Sequence, residues 1–232
     1  MKIIGHTDIG SHRKDNQDAF YISPTHNFAV VADGMGGHNG GEVASNAAVT
    51  AIRTRLETRD IIPESDVCEE LKWAIELANE IVHELGTNEL NGMGTTVVVC
   101  YLIDNIAYIA NVGDSRAYKI TADGMEQITS DHSMVNSLLE TGKITSNQAD
   151  MHPQKNVLTR AVGTDRTVDV DTFRASIKKG DCLLLCTDGL TNAISDFEIE
   201  QLIRAETTPK TLCELASKRY GKDNITTVIA TI

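Results

Sequence analysis

Four aspartates stand where apolar segments of the sequence begin or end, and their carboxylates could bind metal ions. They are Asp33 after VVA, Asp114 after YIANVG, Asp188 after CLLLCT and Asp223 before NITTVIATI. An aspartate in any one of these places is most often a turn residue. We interpret Asp104 and Asp123 as such turns, because each joins two short strands that a hairpin would connect. The recurrence of the other four at the ends of buried strands favours a shared function.

Carboxylates gathered at one edge of a sheet would repel one another and raise one another's pKa unless cations neutralised them. Oxygen ligands without a nearby cysteine select hard cations, so we expect Mg²⁺ or Mn²⁺ rather than structural zinc. Two such ions, about 4 Å apart, can bridge and deprotonate a water and stabilise both sides of an in-line displacement at phosphorus. The pattern therefore predicts chemistry on a phosphate ester.

The segment RKDNQD places Arg13 five residues before Asp18 in an otherwise acidic chain. An arginine fork binds a phosphate dianion bidentately, although a lone arginine is usually a surface charge. Five glycines follow Asp33 within eight residues, in VADGMGGHNGGEVAS. Glycine is used where φ is positive or where another group approaches the main chain closely. This segment is therefore either a tight turn or a loop in which Asp33 and the Gly34 carbonyl face a ligand.

The elements that would position these residues follow from hydrophobic periodicity. Apolar residues recur at helical spacing in 41–58 and 66–86, which predicts two long helices. The period then changes to short β-rich runs, and the predicted strands are 95–103, 106–112, 117–120, 125–129, 168–176, 181–187 and 225–232. Capping patterns at Ser195 and Thr208 begin two further helices. Strand clusters separated by helix pairs predict one α+β domain with helices layered on antiparallel sheets.

Residues 130–163 interrupt the strands with a polar insert. We predict two short helices in it, the second opened by a Thr145–Gln148 capping pair. Such an insert is either a mobile surface loop or a functional lid. We expect His132 and His152 to fix the fold of the insert.

Composition excludes several classes of function. The 232 residues carry a net charge of -12, which argues against nucleic acid or an anionic membrane as partner. We find no signal peptide and no run near the ~20 apolar residues that span a bilayer, so we expect a cytoplasmic protein without membrane insertion. Five cysteines without CxxC spacing indicate reduced thiols. Cys213 and Arg219 have the C-x5-R spacing of cysteine phosphatases, but the residues between them lack glycine and continue a helical pattern, so we reject that site.

Taken together, the motifs resemble the metal-dependent Ser/Thr protein phosphatases (PPM, type 2C), and most of all their compact bacterial members. They are RKDNQD (13–18), VADGMGGHNGGEVAS (31–45), GTT (94–96), NVGDSRAY (111–118), DHSMVNSLLETG and HPQKNVLTRAVG (within 131–163), CTDGLTN (186–192) and DNITTV (223–228). The resemblance covers essentially the whole chain in order. It implies a four-layer α-β-β-α sandwich of two antiparallel sheets flanked by helix pairs. The chain would then be a single catalytic domain, 1–232, with a flap at about 130–163.

The resemblance also implies a set of metal ligands at one end of the sandwich. Asp33 would bridge two ions, and the Gly34 carbonyl would bind the second. Asp188 and Asp223 would complete the first. Asp114, together with Asp188, matches a third and weaker site of bacterial members.

Further roles carry over by motif. Asp18 would hold metal-bound waters, and Arg13 would bind the substrate phosphate. His38 is a candidate general acid by resemblance, but it lies four residues beyond Gly34 and is otherwise an ordinary loop histidine. Gln17 departs from the glutamate of some eukaryotic members, so direct metal binding there is not expected.

The implied activity is Mg²⁺- or Mn²⁺-dependent hydrolysis of phosphoserine and phosphothreonine in proteins by a metal-bridged water. The enzyme would act as a monomer and oppose a cognate Ser/Thr kinase. One alternative is a pseudophosphatase that only binds phosphoproteins, which would lack a ligand position, yet Asp33, Asp188 and Asp223 are all present. The other is a hydrolase of small phosphorylated metabolites, which a deep closed pocket would favour.

Overall fold

The β-strands form two antiparallel sheets that pack face to face in the computed structural model, which describes residues 1–37, 40–59 and 62–232. The strands are β1 (Lys2–Asp8), β2 (Asp18–Ile22), β3 (Phe28–Met35), β4 (Gly94–Thr95), β5 (Val97–Ile103), β6 (Ile106–Val112), β7 (Arg116–Thr121), β8 (Gly124–Gln127), β9 (Asp171–Ser176), β10 (Cys182–Cys186) and β11 (Ile225–Thr231). One sheet has the order β1-β11-β10-β7-β8. The other has the order β2-β3-β5-β6-β9, and β4 pairs with β3.

The α-helices are α1 (Gly40–Glu57), α2 (Val67–Leu85), α3 (Met134–Glu140), α4 (Ser146–Asp150), α5 (Asp188–Thr191), α6 (Asp196–Arg204) and α7 (Pro209–Arg219). Two helix pairs cover the outer faces of the sheets. The apolar stripes of α1 and α2 pack on the sheet that contains β3 and β5. Those of α6 and α7 pack on the sheet that contains β10 and β11. The predicted α-β-β-α sandwich is confirmed.

The central strands explain why the sequence contains continuous apolar runs. In β5, Val97, Val99 and Tyr101 face the helices, whereas Val98 and Cys100 face the opposite sheet. Because such a strand is buried on both faces, its sequence is continuously apolar and does not alternate between apolar and polar residues. Apolar side chains thus fill three layers, one between the two sheets and one between each sheet and its helices. Removing apolar surface from water contributes about 25 cal/mol per Å², so these layers are the main source of stability.

The segment 130–163 forms the predicted insert, which we call the flap. It contains α3 and α4, and the predicted Thr145–Gln148 capping box is present at the start of α4. Isolated bridges join Ser133 to Leu158 within the flap and Thr95 to Val162 at its end. The second bridge ties the end of the flap to β4, and the first joins its N-terminal and C-terminal segments to each other.

Three elements, β1, β2 and α5, were not predicted. β1 and β2 lie in the half-polar N-terminal segment, and β1 pairs with β11 at the far end of the chain. The short helix α5 begins at Asp188, directly after the strand that this aspartate was expected to end. Among the described residues, no helix is both long enough and apolar enough to span a membrane.

Candidate metal centre

The structure brings the aspartates of the strand ends to one cavity of about 370 Å³. Its walls include Asp33, Gly34, Asp114, Asp188 and Asp223. These residues come from β3, from the turn between β6 and β7, from the start of α5 and from the segment before β11. The sequence-based expectation that they share one edge of the sandwich therefore agrees with the geometry.

Threonines of the GTT motif hold Asp33 through its backbone. The Asp33 N–H donates to Thr96 Oγ1 at 2.9 Å, and the Asp33 carbonyl accepts from Thr95 Oγ1 and from the Thr96 N–H, both at 2.9 Å. Thr96 Oγ1 also lies 2.6 Å from Ser115 Oγ, next to Asp114. Because these bonds use the backbone of Asp33, its carboxylate is left to face the cavity.

Asn224 ties the N-terminal loop to the start of β11. Its Nδ2 donates to the carbonyls of Ile9 (2.9 Å) and Asp15 (3.0 Å), and its Oδ1 accepts from the Gln17 N–H at 2.8 Å. This clamp places the RKDNQD segment beside Asp223. Asn224 was not among the predicted site residues, and the only signal for it in the sequence is its position directly after Asp223.

Asp18 is not among the residues that line the cavity, but it lies opposite Asp33 in the β2–β3 register. It is 6% exposed, and its Oδ2 accepts hydrogen bonds from Thr187 Oγ1 (2.9 Å) and Thr226 Oγ1 (2.7 Å). Its Oδ1 is buried and, within the described part of the chain, has no hydrogen-bond partner. The same is true of Oδ1 of Asp188. Unpartnered buried acceptors are rare and costly, so both atoms are suited to a ligand.

Burial and mutual repulsion disfavour the charged forms of these carboxylates. Burial raises the pKa of Asp18 to about 7 and that of Asp114 to about 7, and the negative charge of Asp188 adds to both shifts. Burial together with Asp223 raises the pKa of Asp188 to about 6. The pKa of Asp33 is raised well above its ordinary value, first by burial and then by Asp18. A divalent cation would reverse each of these penalties.

The carboxylates line the cavity without closing on a single point. Across residues 1–37, 40–59 and 62–232, no three histidine, cysteine, aspartate or glutamate side chains already form a ligand cluster. Repulsion between neighbouring carboxylates opposes closer approach in the absence of a cation. The oxygen-only donor set and the two unpartnered oxygens fit hard divalent ions, Mg²⁺ or Mn²⁺.

Arg13 reaches the same cavity. Its Nη2 lies 2.6 Å from Asp223 Oδ1, and its Nε donates to the Lys222 carbonyl at 3.1 Å. The side chain is 44% exposed, and ion pairs this exposed contribute little to stability. His38, the remaining predicted site residue, lies outside the described residues.

A second, larger cavity of about 930 Å³ adjoins the first between the flap and the α5–α6 region. Asp114, Asn156 and Asp188 line both cavities. Arg116 and Asp131 form an ion pair in its wall, with Nη2 and Oδ2 2.7 Å apart. The aspartate cavity therefore opens into a wider polar space under the flap.

Comparison with known proteins places this arrangement in context. The model of the family "Protein phosphatase 2C" matches residues 6–227. Protein phosphatase PhpP of Streptococcus pneumoniae is 38% identical over 242 aligned positions, which cover 100% of this chain and 98% of PhpP. The crystal structure of serine/threonine phosphatase Stp1 from Staphylococcus aureus superposes with a TM-score of 0.93 at 39% identity, covering 100% of this chain and 94% of that one. The catalytic domain of the serine/threonine protein phosphatase PstP, solved in complex with two manganese ions, superposes with a TM-score of 0.87 at 30% identity. The match covers 98% of this chain and 96% of the PstP chain.

Proposed function

The chain belongs to the protein phosphatase 2C family, and from that premise we propose how its residues remove phosphate from phosphoserine and phosphothreonine in proteins. It is a metal-dependent serine/threonine protein phosphatase. The observation that carries the residue assignment is the convergence of Asp33, Asp114 and Asp188, whose pKa values are raised by burial, on one cavity that Asp223 also lines.

We assign two ions to Asp33, the Gly34 carbonyl, Asp188 and Asp223. A weaker third ion would be held by Asp114 together with Asp188. When bound, such ions lower the pKa of a coordinated water and neutralise charge that develops on the phosphoryl oxygens. The support for this assignment is that every one of these residues lines the same cavity.

The chain's own polar groups would then orient the reactants. Asp18 keeps Oδ2 occupied by Thr187 and Thr226 and leaves Oδ1 to accept a hydrogen bond from a water. Arg13 is exposed and would turn from Asp223 to a substrate phosphate, which its planar fork binds bidentately.

The cavity under the flap favours a protein substrate over a small phosphorylated metabolite. It continues from Asp114 and Asp188 for about 930 Å³, which leaves room for the residues that flank a phosphorylated side chain. A pseudophosphatase is disfavoured, since each proposed ligand position still carries an oxygen donor.

We also propose that residues 1–232 act as one catalytic domain and as a monomer, because one chain supplies all of the proposed ligands. The five cysteines are free thiols, which supports a reducing compartment such as the cytoplasm. The substrates are products of a Ser/Thr kinase, which this enzyme would oppose.

Phosphate release from a phosphothreonine peptide, with Mn²⁺ and with EDTA, tests the proposal. We expect release only with Mn²⁺, and faster turnover of the peptide than of free phosphothreonine. Peptide binding without Mn²⁺-dependent release would support the pseudophosphatase. Preference for the free amino acid would support the metabolite hydrolase.

A further inference from the structure

His132 lies directly behind the turn that carries Asp114, at the point where the flap leaves the sheet. The side chain is 6% exposed. Its ring Nδ1 is 3.1 Å from the backbone nitrogen of Gly113, and its own backbone N–H donates to the Gly113 carbonyl at 3.0 Å. On the other side of the ring, Nε2 is 3.2 Å from Asp171 Oδ2. The imidazole thus connects the β6–β7 turn to the first residue of β9.

These contacts determine which ring nitrogen carries the proton. A backbone N–H can only donate, so Nδ1 must accept from Gly113, and a neutral ring then carries its proton on Nε2. Nε2–H donates to Asp171, whose Oδ1 accepts from Arg160 Nη1 at 2.7 Å. Arg160 Nη1 is also 3.3 Å from Nε2, but both atoms are donors, so no hydrogen bond forms between them. Burial lowers the pKa of His132, which agrees with a neutral ring.

Gly113 is confined on its other side by Thr96. The φ angle of Gly113 is +103°, a value that residues with a side chain rarely adopt, and a Cβ there would lie 2.6 Å from Thr96 Cγ2. Thr96 in turn binds the Asp33 N–H and Ser115 Oγ. The turn from Gly113 to Ser115 is therefore held between the strand of Asp33 and the ring of His132.

We propose that His132 is a positioning residue for Asp114. Its Nδ1 accepts the buried Gly113 N–H and so fixes the turn that directs the Asp114 carboxylate into the cavity shared with Asp188. This inference rests on the metal role proposed for Asp114. It assigns the effect to one ring nitrogen rather than to the bulk of the ring.

Asparagine and glutamine at this position separate the two ring nitrogens. The asparagine oxygen occupies the place of Nδ1, whereas the glutamine amide nitrogen occupies the place of Nε2. His132→Asn therefore keeps the acceptor for Gly113, and His132→Gln keeps the donor to Asp171. His152→Gln is the matched control, because His152 Nδ1 accepts the Gln154 N–H at 3.1 Å within a local turn of the flap.

The measurements are hydrogen exchange at the Gly113 amide and Mn²⁺ binding by calorimetry without substrate. We expect His132→Gln to accelerate Gly113 exchange about tenfold and to weaken the low-affinity Mn²⁺ site about tenfold. His132→Asn and His152→Gln should stay near wild type in both. Equal behaviour of His132→Asn and His132→Gln would overturn the proposal, because the ring would then act only through its volume.

If a His132 variant does not fold, the proposal can be tested on the wild-type protein. ¹⁵N chemical shifts of the His132 ring should show a proton on Nε2 and none on Nδ1, and a proton on Nδ1 would overturn the proposal. A wild-type protein without Mn²⁺-dependent phosphatase activity would contradict the proposed function instead. The exchange contrast at Gly113 would still be seen in that case, so the two failures are distinguishable.

Discussion

Asp188→Asn should stabilise the metal-free protein while it abolishes Mn²⁺-dependent turnover. Burial and the charge of Asp223 raise the pKa of Asp188 from 3.8 to about 6. At about 1.4 kcal/mol per pKa unit, this is roughly 3 kcal/mol of destabilisation at neutral pH. Burying the polar asparagine amide in the same place offsets part of this, so we expect a net gain of about 1–2 kcal/mol. That corresponds to a rise in Tm of about 2–8 °C for a domain of this size.

The pH dependence of stability tests independently whether the charge of Asp188 destabilises the folded protein. The folded-state pKa of Asp188 lies above its value in the unfolded chain. The penalty is therefore absent below about pH 4, where both states are protonated, and it grows as the pH rises towards about 6. In EDTA, the Tm difference between variant and wild type should be small at pH 4.5 and largest at pH 7.5.

Thermal melts and phosphate release are measured on the same preparations. Mn²⁺ at about 100 times its Kd should stabilise the wild type by about 2.7 kcal/mol and the variant by much less. Asp123→Asn is the control, because this exposed turn aspartate should change neither quantity. A lower metal-free Tm for Asp188→Asn at pH 7.5, or near-wild-type turnover at saturating Mn²⁺, would refute the assignment.

Three further predictions follow from the site and its surroundings. Arg13→Ala should lower kcat/KM about ten- to hundredfold through a lost charge-assisted bond to phosphate. Mn²⁺ affinity by calorimetry should change less than about fivefold, because the exposed pair with Asp223 is weak, and loss of Mn²⁺ binding would make Arg13 structural. Asp114→Ala should lower turnover and shift its Mn²⁺ dependence in the millimolar range, whereas a lower Tm with an unchanged Mn²⁺ titration would assign Asp114 to its turn alone. Burial alone would raise the pKa of Glu57, but four hydrogen bonds outweigh burial and lower that pKa to about 2. The carboxylate of Glu57 therefore stabilises the folded state above about pH 4.5, and this contribution is lost as the pH falls through about 2. With the side chain 23% exposed, Glu57→Gln should cost about 1–2 kcal/mol at pH 7 and less in urea melts at pH 3, and an equal cost at both pH values would contradict this.

Elements whose pattern is local could be predicted from the sequence. The strand expected at 106–112 is Ile106–Val112, and the helix expected at 41–58 is Gly40–Glu57. Periodicity over one or two turns or a few pleats is sufficient for such elements. β1 gave no such signal, because KIIGHTD is half-buried without clean alternation and pairs with a strand more than 200 residues away. α5 has four residues, too few to show a helical period.

The candidate site was predictable to the same extent. Aspartates at strand ends could be found because both the strands and the residues that end them are local features. The side chains that hold them could not, because their partners are remote in sequence. Thr187 and Thr226 reach Asp18 across 169 and 208 positions, and Thr96 reaches Asp33 across 63. No pattern within one segment reports a contact of that kind.

The glycines beside the aspartates have a physical reason that neither a tight turn nor a ligand-facing loop supplies. A Cβ on Gly34 would collide with the backbone of Gly41, and one on Gly189 would collide with the carbonyl of Asn224. Each glycine therefore admits a second segment of main chain directly against the residue that follows an aspartate. Through these two contacts, β3 meets the start of α1, and the start of α5 meets the start of β11. Close approach of backbones, more than freedom of φ, is what gathers carboxylates from separate parts of the chain around one cavity.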